Sequence, residues 1–319
     1  MKITLRLKNF PISFFAPILG FAGFSLVLVK AEELFNISHN FTTGVLMFTI
    51  AAFAIITLIY LSKIIFFFEN VKKEFYHPVK INFFPLISKT LLVLSVVFLY
   101  FNMEVSYYLW WVGLIINTIF TFVILSEWIT KDHFHLNHLS PAWFIPVVGN
   151  IIIPIAGVQH ANPELSWFFF TVGFVWMVIL TIIIFNRLIF HDPLPEKLVP
   201  TFFILFAAPA IAFIAYYKLS EDFSTFTRIL YYYSLFIFLL TLTQWRVFTK
   251  IRFYLSWWAY TFPLAAFFLG TILMYHLSNL IFFKWLAGAV FISLVIIIIY
   301  LSIITLRAIS KHKICIEDD

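Results

Sequence analysis

Ten apolar stretches separated by short polar clusters constrain this chain more than any other feature. They run over roughly residues 11–30, 42–68, 83–101, 106–127, 141–159, 164–187, 200–219, 224–246, 254–276 and 280–307. A helix needs about 20 apolar residues to cross the hydrocarbon of a bilayer, and these stretches have that length. Of the 319 residues, 63% are hydrophobic and 11% charged, whereas a soluble domain carries roughly 25% charged residues. The expectation is a polytopic, all-α integral membrane protein forming a single transmembrane domain over 1–319, with a short tail over 308–319. The opening "MKITLRLKNF" and the apolar run after it have the outline of a signal peptide. No small-residue cleavage site follows before "VKAEELF", so the run reads as a retained first span.

The links after spans 3 and 5, "FNMEV" and "QHANPE", are too short for anything but tight antiparallel neighbours. The chain therefore reads as five consecutive helical hairpins, about 11–68, 83–127, 141–187, 200–246 and 254–307. Of the 21 Lys and Arg residues, sixteen fall on the side of the two termini. Four fall on the other side (Lys30, Lys218, Arg228 and Lys284), and Lys89 lies within a span. The positive-inside rule then places both termini in the cytoplasm. With the basic residues scattered over short connections, nucleic acid is not expected as a partner. The single cysteine, Cys315, permits no internal disulfide.

The prolines divide the spans into two classes. Pro11 and Pro17 fall in span 1, Pro85 in span 3, Pro141, Pro146 and Pro154 in span 5, Pro200 and Pro209 in span 7, and Pro263 in span 9. The even spans hold none, and the other four prolines lie in connections. Proline removes a backbone donor, and in lipid the freed carbonyl is tolerated only inside protein or beside a water-filled cavity. The odd spans should therefore lie inside, around a central conduit, with the even ones outside. Pro17, Pro209 and Pro263 fall at similar depths. Phe262 precedes Pro263 roughly 12 Å into the membrane, counting 1.5 Å per residue. The residue before a proline is disfavoured in helical geometry, which lets its side chain leave the regular face. A ring aimed into a narrow lumen closes it by steric block and dewetting. A ring packed like the other phenylalanines does not.

The stretches "NFPISFFAPILGFAGFSLV", "EFYHPVKINFF", "ILSEW", "SPAWFIPVVGN", "LVPTFFILFAAPAIAF" and "WWAYTFPLAAFFLGT" together resemble the tellurite-resistance/dicarboxylate transporter family, which includes the plant guard-cell slow anion channels. They are spread along nearly the whole chain in order. The resemblance implies five hairpins around a quasi-fivefold axis, odd helices lining the pore, and homotrimers with one pore per subunit. It also implies that a phenylalanine of helix 9 occludes the pore, and Phe262 falls on that position. Phe14, Pro17, Pro85, Pro146, Asn150, Pro209, Thr261 and Pro263 are the accompanying candidates for pore lining or kinks. Family substrates are small anions: chloride and nitrate in the plant channels, with tellurite, sulfite or C4-dicarboxylates ascribed to microbial members.

Lys89 is a functional candidate because an intramembrane charge is expensive. It could act on an anion, pair with Glu127 of the same hairpin, or snorkel to the headgroups. Asn150 could offer its amide to an anion or satisfy backbone near Pro146 and Pro154. His133, His135 and His138 in "KDHFHLNHL" read as a solvated loop, and "HDP" at His191 and Asp192 reads as a turn. No metal and no cofactor is expected. The leading expectation is an anion channel or facilitative transporter in the cell membrane, with proton-coupled malate carriage as the alternative. A carrier built from inverted repeats fits the alternating prolines less well. A histidine-dependent membrane oxidase lacks ligands at a common depth.

Overall fold

A computed structural model of the chain describes residues 6–315. Lys2 and the tail residues 316–319, both used above, lie outside the described residues. Among those described, the structure is helical throughout, and ten helical segments are long and apolar enough to cross a membrane. Span 1 is Ile12–Phe35, span 2 His39–Phe66, span 3 Lys80–Phe98, span 4 Met103–Thr130 and span 5 Pro141–His160. Span 6 is Pro163–Phe190, span 7 Glu196–Ser220, span 8 Thr225–Thr243, span 9 Leu255–Ser278 and span 10 Ile281–Ser310. Short helices, Phe68–Phe75 and Trp245–Lys250, occupy the connections after spans 2 and 8.

Burial separates the two classes as the prolines do. Over the most apolar 18 residues of each span, between 72% and 83% are buried in the odd spans, against 17% to 39% in the even ones. The odd spans form a closed ring in which span 1 packs on span 3, 3 on 5, 5 on 7, 7 on 9, and 9 back on 1. Each even span packs outside its own hairpin partner, and spans 4, 6, 8 and 10 also reach the next odd span of the ring. Their outward side chains, such as Phe122, Ile182 and Leu306, are exposed, which suits a hydrocarbon surround. Small residues set the closest approaches, as expected where helices pack without a hydrophobic drive between them. A Cβ on Gly20 would collide with Thr261 of span 9. One on Gly173 of span 6 would sit 2.9 Å from the Ile151 backbone nitrogen of span 5.

The ring has a recurring local device. All five odd spans begin with 3₁₀ turns: Ile12–Phe14, Lys80–Phe83, Pro141–Trp143, Glu196–Phe203 and Leu255–Tyr260. No even span starts this way. Prolines lie in or beside four of these starts (Pro11, Pro85, Pro141 and Pro200) and Pro263 follows the fifth; missing amide donors favour the tighter helix, which is common at helix ends. Pro163 is no exception to the segregation, since it is the first residue of span 6, where the amide would lack a partner anyway. At the far side, spans 1, 7 and 9 stop at left-handed Asn36, Glu221 and Asn279 with φ of 53°, 52° and 56°. Such a residue terminates a helix and redirects the chain. Asn102, Asn162 and Ser224 then cap spans 4, 6 and 8 with their side chains.

Candidate functional site: an axial path between the odd spans

Three cavities follow one another along the ring. The widest, about 1000 Å³, opens among the 3₁₀ turns on the basic side. It shares Ala16, Phe83 and Ala259 with a second cavity of about 90 Å³. A third, about 30 Å³, is lined by Gly23, Leu26, Val93, Val96, Ile155, Ile214 and their neighbours, every one of them apolar. The second and third are walled only by residues of the odd spans, and each is touched by all five. Phe262, Ile152 and Ile211 belong to both. The side chain from helix 9 thus stands at the partition between them. Gly23 makes room for it: a Cβ there would lie 3.1 Å from the Phe262 ring and 3.1 Å from Ala265. Pro263 also lines the second cavity. In an α-helix the amide of residue 263 would bond the Ala259 carbonyl, a bond proline cannot make, and Ala259 lines both wider cavities.

Lys89 is the charged side chain on the second cavity, and it is almost fully buried. Its stem crosses Gly149 so closely that a Cβ at that glycine would overlap the Lys89 methylenes. The Lys89 ammonium donates to Asn117 Oδ1 of span 4. Asn117 Nδ2 donates to Asn150 Oδ1 at 2.7 Å, and Asn150 Nδ2 donates to Thr121 Oγ1 at 3.1 Å and to the Val147 carbonyl at 2.7 Å. Thr121 in turn donates to the Pro146 carbonyl at 2.9 Å. The network ties span 3 through span 4 to the 3₁₀ stretch Val148–Ile152, which interrupts span 5. The lysine head meets an amide oxygen of the outer span 4, not a carboxylate, while Lys89 also lines the second cavity.

The structure disperses several of the other candidates. Lys89 and Glu127 make no ion pair among the described residues, and Glu127 Oε2 is buried without a hydrogen-bond partner. Lys89 does not snorkel either, because Asn117 and the Gly149 notch hold it inside. Asn150 has both donors committed to protein oxygens, so it supports the network and has no free amide for an anion. Phe14 stacks on Phe10 with ring centroids 4.4 Å apart. Thr261 is buried against Gly20 and donates to the Trp258 carbonyl at 2.7 Å. Pro17, Pro85, Pro146 and Pro209 are buried in helix packing and do not line the two inner cavities.

Two features escaped the sequence reading. Asn117, in "LIINTIF", is an amide in the middle of an apolar span, a signal of the kind that points to a buried partner. The other is the Lys63–Glu74 ion pair. Lys63 counts among the basic flanking residues in the sequence, yet in the fold it is buried within span 2. Its Nζ lies 2.6 Å from Glu74 Oε2 and donates to the Phe10 carbonyl at 2.8 Å. Glu74 also accepts from Tyr60 Oη at 3.0 Å and from the Ile12 amide at 2.7 Å.

The comparisons with known proteins agree with this architecture. The family described as voltage-dependent anion channel (SLAC1) matches residues 9–306. The S-type anion channel SLAH3 of Arabidopsis thaliana is 31% identical over 274 residues, 83% of this chain and 43% of that protein. The guard cell S-type anion channel SLAC1 of the same plant is 28% identical over 277 residues, 83% of this chain and 50% of that one. The chain therefore spans about half the length of these plant relatives. The tellurite resistance protein TehA homolog of Haemophilus influenzae is 25% identical over 306 residues, covering 93% of this chain and 92% of its own. With ten spans, a closed inner ring and an axial path, this chain belongs to the SLAC1 family of anion channels.

Proposed function

We propose that the chain is a passive pathway for small anions, closed at mid-membrane by the Phe262 ring. The reading rests chiefly on Phe262 lying on the wall of both inner cavities. An anion coming from the basic side meets the vestibule, then the small cavity with Lys89, then the ring. Lys89 compensates the anion's charge where water is scarce, and one amide partner leaves that charge uncancelled. Weak, local compensation suits flow, since tight binding would slow exit. Beyond the ring the path is apolar, so a closed gate is also a dewetted one. Chloride, nitrate, tellurite or sulfite, and C4-dicarboxylates such as malate are the substrates to test.

The protein sits in the cell membrane with both termini in the cytoplasm, and its five hairpins follow a quasi-fivefold axis. It assembles as a homotrimer that buries part of the aromatic outer faces. Native mass spectrometry from mild detergent showing only monomers or dimers would count against the trimer.

Voltage-clamp recording of the purified protein in planar bilayers tests the function, with chloride, nitrate and malate exchanged in turn. Phe262→Ala is expected to raise anion current with assembly unchanged. If Phe262 is only a packing residue, the same change costs roughly 3–5 kcal/mol of stability and opens nothing. A malate flux that requires a proton gradient, with no passive anion current in either protein, would overturn the channel reading in favour of coupled carriage.

A further inference from the structure

The lining of the third cavity repeats from one odd span to the next. Leu26 of span 1, Val96 of span 3, Ile155 of span 5, Ile214 of span 7 and Leu269 of span 9 all line it. Each lies three residues after another residue of the same wall: Gly23, Val93, Ile152, Ile211 and Ala266. Residues i and i+3 share a helix face, so every odd span turns one face to the axis over a full turn. The wall therefore has two tiers, about 4.5 Å apart at 1.5 Å per residue. The nearer tier shares Ile152 and Ile211 with the Lys89 cavity, and the farther one shares nothing with it. Along span 9, Leu269 follows Phe262 by two helical turns, about 10 Å.

The farther tier is a set of five branched aliphatic side chains, one from each odd span. At about 30 Å³ the cavity has room for a water molecule, yet a buried water needs two to four polar partners and apolar cavities stay dry. Among the described residues, no polar atom is exposed on this wall. An anion entering it meets neither a hydrogen-bond donor nor a counter-charge, whereas the second cavity has Lys89 on its wall. Burial of an unpaired ion is among the costliest transfers a protein can impose.

We propose that Leu26, Val96, Ile155, Ile214 and Leu269 form a second barrier, a dewetted collar in series with Phe262 and independent of its ring. The inference rests on the conduit reading given above. The two barriers work differently: the ring blocks by its bulk, and the collar bars the path because nothing there holds water. Removing the ring joins the second and third cavities, since Phe262, Ile152 and Ile211 belong to both. The collar is untouched by that change, so Phe262→Ala opens the path only in part.

Planar-bilayer recording in chloride, with Phe262→Ala as the background, tests the collar. Adding Val96→Thr and Ile155→Thr places two hydroxyls in it. Current should then rise by about tenfold or more, the scale of one hydrogen bond to a charged group. Valine and threonine are both branched at Cβ and nearly equal in shape. Ile155→Val in the same background thus gives the geometry of the threonine pair without its hydroxyls, and should leave current within about threefold. With Phe262 intact, the threonine pair should stay as closed as wild type. Conduction that appears only after the hydroxyls are added supports the collar even if Phe262→Ala alone passes no current. A threonine pair that changes nothing, or a rise equal to that of Ile155→Val, overturns the collar and leaves Phe262 as the gate. Current through the pair with Phe262 intact overturns the arrangement in series. No current in any of these variants overturns the conduit and the collar together. Ile214→Thr repeats the test from span 7 if size-exclusion chromatography shows that the pair does not assemble.

Discussion

Lys63 and Lys89 are both buried lysines within spans, and the protein treats them in opposite ways. Lys63 meets a carboxylate, and that carboxylate also takes a tyrosine hydroxyl and a backbone amide at the first break of span 1. The result is a saturated knot that fastens span 2, the link Phe68–Phe75 and the start of span 1 together. Lys89 meets an asparagine oxygen and a cavity. A neutral acceptor orients an ammonium without cancelling its charge, so on the proposed function the field of Lys89 acts on an anion in the cavity. The contrast shows that two buried lysines of one bundle can differ in whether a carboxylate or a neutral amide receives them.

The largest expected effect comes from opening the knot. Glu74→Gln leaves the Lys63 charge buried without its counterion, which should cost about 3–5 kcal/mol. Replacing both partners, Lys63→Met with Glu74→Gln, should recover most of that loss, because desolvated pairs often exchange for apolar residues at little cost. Thermal unfolding in detergent measures both. A double variant as unstable as the single one would remove the knot's electrostatic rationale.

Lys89→Met should do the reverse: conserve stability within about 1 kcal/mol, or improve it, since an expensive buried charge is removed. On the proposed function it should cut anion conductance in the Phe262→Ala background by about tenfold, the equivalent of about 1.4 kcal/mol of lost compensation. If Lys89→Met instead unfolds the protein and leaves permeability ratios untouched, the two lysines are of one kind and the comparison fails.

A subtler probe is Asn117→Leu. It leaves the lysine in place and removes its orienting acceptor, as well as one partner of Asn150. The loss of buried hydrogen bonds should cost about 1–3 kcal/mol, with permeability ratios shifting by less than in Lys89→Met. Ratios measured by reversal potentials that do not move at all would show that Asn117 serves packing alone.

The smallest effect concerns pH and lies outside the spans. Partial burial pushes the His77 imidazole below its ordinary value, and Lys80 and His138 nearby add to the shift. His138 is lowered by burial and by His135 and His133. Both rings bind protons less readily in the folded chain than in the unfolded one. The stability they contribute is whole above the ordinary histidine range and declines as pH falls through about 6.5 and below. Since both sites are open to solvent, the expected decline in melting temperature between pH 7.5 and 5.5 attributable to them is below about 2 °C. His77→Gln with His138→Gln should flatten that part of the profile, and an unchanged slope would remove the pair as its source.

Much of this protein was legible before any coordinates. Hydropathy requires ten spans because a bilayer accepts only long apolar helices. The confinement of prolines within the spans to odd positions, with Pro163 merely starting span 6, marks which helices are inside, because a freed carbonyl is not tolerated against lipid. Both arguments need only composition and order along the chain. Phe262 stood out for the same reason, since the Phe–Pro pair is local. Lys89 also stood out, but its partner did not: Glu127 was the charge of right sign and depth, whereas the fold supplies Asn117. Which side chains meet across helices depends on rotation about each axis and on close approaches at residues such as Gly149, and neither is written in a one-dimensional pattern. The same holds for Lys63, a flanking charge by sequence and a buried one by structure. Its burial exists only because Glu74 and Ile12, 62 positions apart, are brought together at the mouth of the ring.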